Sequence, residues 1–206
     1  MSMNHRSTNR LSAAMALLVV AVALSACEGV GVVATDDPHI KLSQANYLLN
    51  NEGRVMQARR QLDEAIPILE ANGDKAGLAE AYRLYALVVR VDDPGHNRVV
   101  LKDTKAPIRP TKEQLDVSDD YLNRALGLAQ EAKQNYAIAN IYYLLGNNEV
   151  LRDTPLKSCP YYDLAIKSFA EAQREQPGVK VQLMPGVNSV AEGYALVQQQ
   201  AGCPAG

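Results

Sequence analysis

The sequence predicts an all-α fold of antiparallel helix pairs. Three observations carry that prediction. From Pro38 onward, apolar residues recur at three- and four-residue spacings. Turn clusters such as Asn72-Gly73-Asp74, Asp92-Asp93-Pro94-Gly95 and Pro177-Gly178 punctuate those stretches. There is little strand signal between them.

Taken in order, the first helix is expected over Ile40 to Asn51. Pro38 suits its start, because the fixed φ of proline is already helical, and Gly53 breaks it. Val55 to Ala71 is the second, with Leu62, Ala65, Ile66 and Leu69 on one face. Pro67 lies inside it and should kink it or loosen its last turn. Asn72-Gly73-Asp74 supplies a C-cap and turn. Lys75 to Val91 is the third helix, with Leu78, Ala81, Tyr82, Tyr85, Ala86 and Val89 on one face.

Residues 91–112 form a long inserted loop, polar and proline-punctuated apart from Val99-Val100-Leu101. A loop of that length in a helical domain is expected to be functional or mobile. Thr111 followed by Gln114 matches a capping box and opens a fourth helix that runs to about Lys133. Its stripe is Leu115, Tyr121, Leu122, Ala125, Leu128 and Ala129. Asn135 to Leu151 is the fifth. After a loop at Asp153-Thr154-Pro155, Pro160 opens a sixth reaching Gln176, with Leu164, Ala165, Ile166, Phe169 and Ala172. Residues 177–206 form a C-terminal extension with a capping helix from Ser189 to about Gln200. Ten tyrosines stand against one phenylalanine and no tryptophan. Tyrosine fills a helix interface while its hydroxyl reaches water or a backbone group.

Ahead of the helices, His5, Arg6 and Arg10 precede an apolar run from Leu11 to Leu24, followed by Ser25, Ala26 and Cys27. Basic, apolar and small residues in that order describe a secretory signal. The run is shorter than the roughly 17 to 25 residues that cross a bilayer. Ala21-Val22-Ala23 leaves an ordinary cleaved signal peptide as the alternative. Leu24-Ser25-Ala26-Cys27 resembles the lipobox of bacterial lipoproteins. That resemblance implies a leader over 1–26, cleavage before Cys27, lipidation of Cys27 by palmitate-type acyl chains, and a tether over 27–37. Glu28, in place of an aspartate, favours the outer membrane facing the periplasm.

Without Arg6 and Arg10 the mature chain carries a net charge of about −4. No basic excess points to nucleic acid, and no polybasic run points to anionic lipid headgroups. Cys159 and Cys203 remain. In an oxidising exported compartment an even pair reads as a disulfide, contributing roughly 3 to 4 kcal/mol in the chain-entropy model. With no CxxC and no histidine cluster, neither metal nor cofactor is expected, and His39 and His96 are expected in solvated loops. No nucleophile elbow, zincin motif, phosphate loop or dinucleotide glycine pattern is present, so no enzyme is expected. Asp36-Asp37 and Asp92-Asp93 precede prolines as turn formers. Asp119-Asp120 lies near a helix start, where negative charge suits the dipole.

The helix pairs are weakly self-similar. Tyr82-Arg83-Leu84-Tyr85-Ala86 parallels Tyr142-Tyr143-Leu144-Leu145-Gly146 at an offset of 60 residues. The first pair shows Leu42, Ala45, Asn46, Leu49, Gly53, Ala58, Leu62 and Ala65. These spacings resemble the tetratricopeptide repeat over about Pro38 to Gln176, departing from it where insertions follow Val91 and Leu151. A generic helical bundle is the alternative. The resemblance implies a short TPR-like α-solenoid over 38–206 whose first helices line a concave groove. Its projected lining is Ser43, Tyr47, Asn50 and Asn51, then Arg83, Leu87 and Arg90, then Asn140, Tyr143 and Asn147. Asparagine amides can bond an extended peptide, arginine can take its carboxylates, and tyrosine offers rigid contact area. The expected function is a non-catalytic protein–protein interaction scaffold in an envelope assembly, of the pilus, secretion, outer-membrane or polysaccharide-export kind. The alternative is a lipoprotein holding a cell-wall glycan or small ligand in a tyrosine-rich groove.

Overall fold

A computed structural model describes residues 32–91, 109–178 and 186–204. The expected leader, Cys27 and residues 92–108 of the expected long loop, with His96, lie outside the described residues. Among the described residues there are seven α-helices and no strand: α1 (Pro38–Tyr47), α2 (Val55–Ala71), α3 (Lys75–Val91), α4 (Lys112–Glu131), α5 (Asn135–Leu151), α6 (Cys159–Glu175) and α7 (Val190–Ala201). All belong to one compact unit that begins at Thr35.

Helix α1 starts two residues earlier than the periodicity suggests. The Asp37 side chain accepts the N–H groups of His39 and Ile40, and Pro38 follows as the first helical residue. His39 therefore stands in the first turn of a helix, not in a loop. At its other end α1 widens into a π-turn over Leu48–Glu52, which Gly53 closes at φ 63°. Helix α2 continues through Pro67, which faces solvent. Helix α4 opens with the expected capping box: Thr111 accepts from the Gln114 N–H while the Gln114 side chain accepts from the Thr111 N–H.

Consecutive helices pack antiparallel. Lys41, early in α1, pairs with Glu64, late in α2, at 2.5 Å. Lys75 at the start of α3 reaches Glu131 at the end of α4. Asn135 at the start of α5 donates to Glu175 at the end of α6 at 2.9 Å. The most extensive contacts join α1 to α2, α3 to α4 and α5 to α6, with further packing of α2 on α3 and α4 on α5. Four helices end in the same cap. The N–H groups of Asp74, Gln134, Thr154 and Cys203 reach back to the carbonyls of Leu69, Ala129, Glu149 and Gln198. The residue before each of those donors has positive φ: Gly73, Lys133, Asp153 and Gly202. Glycine takes that conformation freely, whereas Lys133 and Asp153 are held in it by the cap.

The core repeats with the helices. The buried residues Val55, Ala58, Leu62, Ala65 and Leu69 of α2 are matched, 60 positions on, by Leu115, Ser118, Leu122, Ala125 and Ala129 of α4. Leu78, Ala79, Ala81, Leu84, Tyr85 and Val88 of α3 are matched by Ile138, Ala139, Ile141, Leu144, Leu145 and Asn148 of α5 at the same offset. Small residues bring the backbones together. A Cβ on Gly146 would lie 2.6 Å from Cε1 of the buried Tyr162 ring, and one on Gly77 would run into Leu69 Cδ2. Helix α7 packs on α6, and Cys159–Cys203 is a disulfide with its Cα atoms 5.6 Å apart.

Candidate functional site

The starts of the first helices of the pairs meet in an open cleft of about 360 Å³. Its lining comes from α1 (His39, Leu42, Ser43, Asn46), from α3 (Ala76, Gly77, Glu80) and from Gln134, just ahead of α5. Local structure sets this wall. The Asp74 carboxylate caps α3 by accepting the Gly77 N–H at 2.9 Å and also meets His39 Nε2 at 3.0 Å, which ties α1 to the α2–α3 turn. Gly77 lets the start of α3 settle against Leu69 of α2, and Ala76 beside it is small. The floor is therefore apolar and shallow, with hydroxyl and amide groups around it.

The cleft is close to neutral. Its one lining carboxylate, Glu80, accepts both Nε (2.7 Å) and Nη2 (2.6 Å) of Arg83 in a bidentate pair within α3. Asn50 donates to the carbonyl and to Oδ1 of Asn46, which orients the Asn46 amide. Ser43, Asn46 and Gln134 present donors and acceptors together. Such a lining can hydrogen-bond a polar backbone, and it lacks the concentrated charge that would select a phosphate or a polycation.

The groove residues projected from the repeat fall in several places. Ser43 lines the cleft. Tyr47 is half exposed at the end of α1, and Asn50 and Asn51 are exposed in the π-turn beside it. Arg83 is buried with its guanidinium committed to Glu80. Leu87 is half-buried, and Asn140 is exposed on α5. Tyr143 is half-buried, with Tyr162 and Tyr194 each 6.0 Å away, centroid to centroid. Asn147 accepts the Tyr162 hydroxyl at 2.9 Å. Sequence reasoning did not place His39, Leu42, Asn46, Ala76, Gly77, Glu80 or Gln134 in the groove. Starting α1 at Pro38 would have helped, since His39, Leu42, Ser43 and Asn46 then share one helical face.

Arg90 points inward. Its Nε donates to Ser118 Oγ at 3.2 Å and its Nη2 to the Leu144 carbonyl at 2.9 Å, which joins α3 to α4 and α5. Desolvation pulls the Arg90 guanidinium down to about 10, opposed by the Asp119 carboxylate. Asn148, fully buried, donates to Ser118 Oγ and to Asp119 Oδ1, and Arg152 holds Asp119, Asp116 and Glu149. This network ties two helix pairs together. Within it Arg152 is paired with carboxylates, whereas Arg90 is held by a hydroxyl and a backbone carbonyl. No group of three or more metal-ligating side chains stands together among the described residues, and no described helix is long and apolar enough to cross a membrane.

Fold and cleft together define a class: an all-helical protein of packed adjacent helix pairs, with an open, near-neutral cleft where its first helices begin. Comparison with family models, characterised proteins and solved structures finds no match to the chain.

Proposed function

We propose that the protein is a lipid-anchored, TPR-like scaffold of a bacterial envelope, and that it holds an extended segment of a partner protein in the cleft at the starts of α1, α3 and α5. One observation carries the reading: successive first helices contribute to a single cleft, lined by small, hydroxyl and amide side chains around an apolar floor. That lining suits a peptide backbone, which needs paired donors and acceptors and little charge. The 60-residue repeat of the buried positions supports the tetratricopeptide likeness. The lipobox-like Leu24-Ser25-Ala26-Cys27 supports an anchor through acyl chains on Cys27, with the helices facing the periplasm. The scaffold is non-catalytic and needs no cofactor. We favour a peptide over a glycan because Tyr143 is half-buried and engaged by both Tyr162 and Tyr194, each 6.0 Å away centroid to centroid, which leaves less of its ring for a sugar.

The test places a photo-reactive residue at Ser43 or at Asn46 of the membrane-anchored chain, with Lys167 on the exposed side of α6 as the control. The expected result is one envelope protein captured from both cleft positions and not from Lys167. Capture from Lys167 alone, or from none of the three across several growth conditions, would overturn the cleft. Separately, Cys27→Ala should abolish incorporation of labelled palmitate; continued incorporation would remove the anchor from the proposal.

A further inference from the structure

Helix α7 differs from the other six in what it contributes to the core. Its fully buried residues are Gly193 and Ala201, among the smallest side chains available. Half of its residues face solvent. Helix α6 has its own packing on α5: Tyr162, Ala165, Ser168 and Ala172 are buried, and the Tyr162 ring lies against Gly146 of α5. What α7 does provide is a cover. The Tyr194 ring lies edge-on to Tyr143 at 6.0 Å and tilted over Phe169 at 6.3 Å. Phe169 in turn stands edge-on to Tyr136 at 5.7 Å. An aromatic face on α5 and α6 thus lies beneath one side chain of α7. Burial pushes the Tyr194 hydroxyl up to about 12.

Two attachments hold the far end of α7. Gln198 donates to Asp163 Oδ1 at 2.8 Å on an exposed surface, and the Cys159–Cys203 disulfide ties the residue after the C-cap to the start of α6. An exposed hydrogen bond contributes little net stability, and apolar burial scales with the area covered. Gly193 and Ala201 cover little. Beyond the packing of the Tyr194 ring, the covalent bond is therefore the main restraint on α7. Neither cysteine is fully buried; both residues are half-buried at the surface of the fold.

We propose that α7 is a redox-operated strap, and that reduction of Cys159–Cys203 releases it and uncovers the aromatic face of Tyr143 and Phe169 while α1–α6 stay folded. The reductant is a dithiol. Its first thiolate attacks Cys203 Sγ, the S–S bond breaks, and the Cys159 thiolate leaves and takes up a proton. The second thiol of the donor then displaces Cys203 from the mixed disulfide, so two electrons pass to the protein and the donor ends as a disulfide. The inference stands apart from the peptide reading, since it concerns α7 and not the cleft.

Hydrogen exchange on the whole folded chain tests it, with dithiothreitol as the dithiol and Cys203→Ser as the permanently open form. In both, the amides of Val190–Ala201 should exchange about tenfold faster or more than in the oxidised chain, while α2–α5 keep their protection. If Cys203→Ser fails to accumulate, oxidised protein reduced in place supplies the same comparison. Unchanged protection of α7 after complete reduction would show a passive staple and overturn the strap. Loss of protection throughout α5 and α6 would show that the disulfide holds the fold itself, and would overturn it equally.

Discussion

Gly146 and Gly127 are both helical glycines with opposite surroundings. A Cβ at Gly146 would sit 2.6 Å from the ring of Tyr162, which is 2% exposed and has no room to retreat. A Cβ at Gly127 would meet nothing within 4 Å. Gly146→Ala should therefore destabilise by about 1 to 3 kcal/mol through overpacking, whereas Gly127→Ala should stabilise by about 0.5 to 1 kcal/mol through helix propensity. Thermal unfolding of the two variants reads both signs. A stable Gly146→Ala would mean that α5 and α6 are not in close contact there. The sequence places a small residue at the end of each Tyr-containing motif, Ala86 and Gly146. It does not say that the second lies under the Tyr162 ring, because that depends on which neighbour the helix meets.

The helix bounds were legible from local chemistry at the scale of the element. Pro38, Asn72-Gly73-Asp74 and the Thr111–Gln114 box act within a turn or two of their own residues, and the structure uses all three. Thr111→Ala removes one arm of that box and leaves the N–H of Gln114 without its acceptor. The expected loss is roughly 1 kcal/mol, seen as a lower denaturation midpoint and faster exchange in the first turn of α4. An unchanged midpoint would mean that packing of Leu115 and Ser118 alone sets the start of the helix. The π-turn after α1 was less legible. Leu48 to Glu52 continues the helical pattern, and the wider turn shows only once Gly53 and the start of α2 are in place.

At the scale of the whole molecule, the repeat of 60 residues governs the core, and the polar network around Arg90 joins the second helix pair to the third. Position 88 is valine and its counterpart 148 is asparagine, fully buried. That substitution admits Ser118, Asp119, Arg90 and Arg152 to an otherwise apolar junction. Arg90→Ala would remove the side-chain donor to the Leu144 carbonyl and one of the two donors to Ser118 Oγ, which keeps Asn148, while Asp119 keeps Arg152. A loss of about 1 to 3 kcal/mol is expected, the usual cost of removing a hydrogen-bond partner from a buried polar group. Chemical denaturation measures it, and a loss below about 1 kcal/mol would show that water replaces the guanidinium.

The sequence by itself determined the helical class and the helix bounds to within a few residues, and, with Cys27 set aside, it made Cys159–Cys203 the expected pair. Those features rest on periodicity, caps and cysteine parity, which act over short stretches or follow from counting. The tertiary structure decided where each polar side chain ends. Arg83 and Arg90 look like groove residues in a one-dimensional projection. They turn instead to Glu80 and to the Leu144 carbonyl, because burying a cation is tolerable only beside a partner. The cleft itself arises from α1, α3 and the residue ahead of α5. These segments lie far apart in the chain, and only the packing of one helix pair on the next brings them to a common wall.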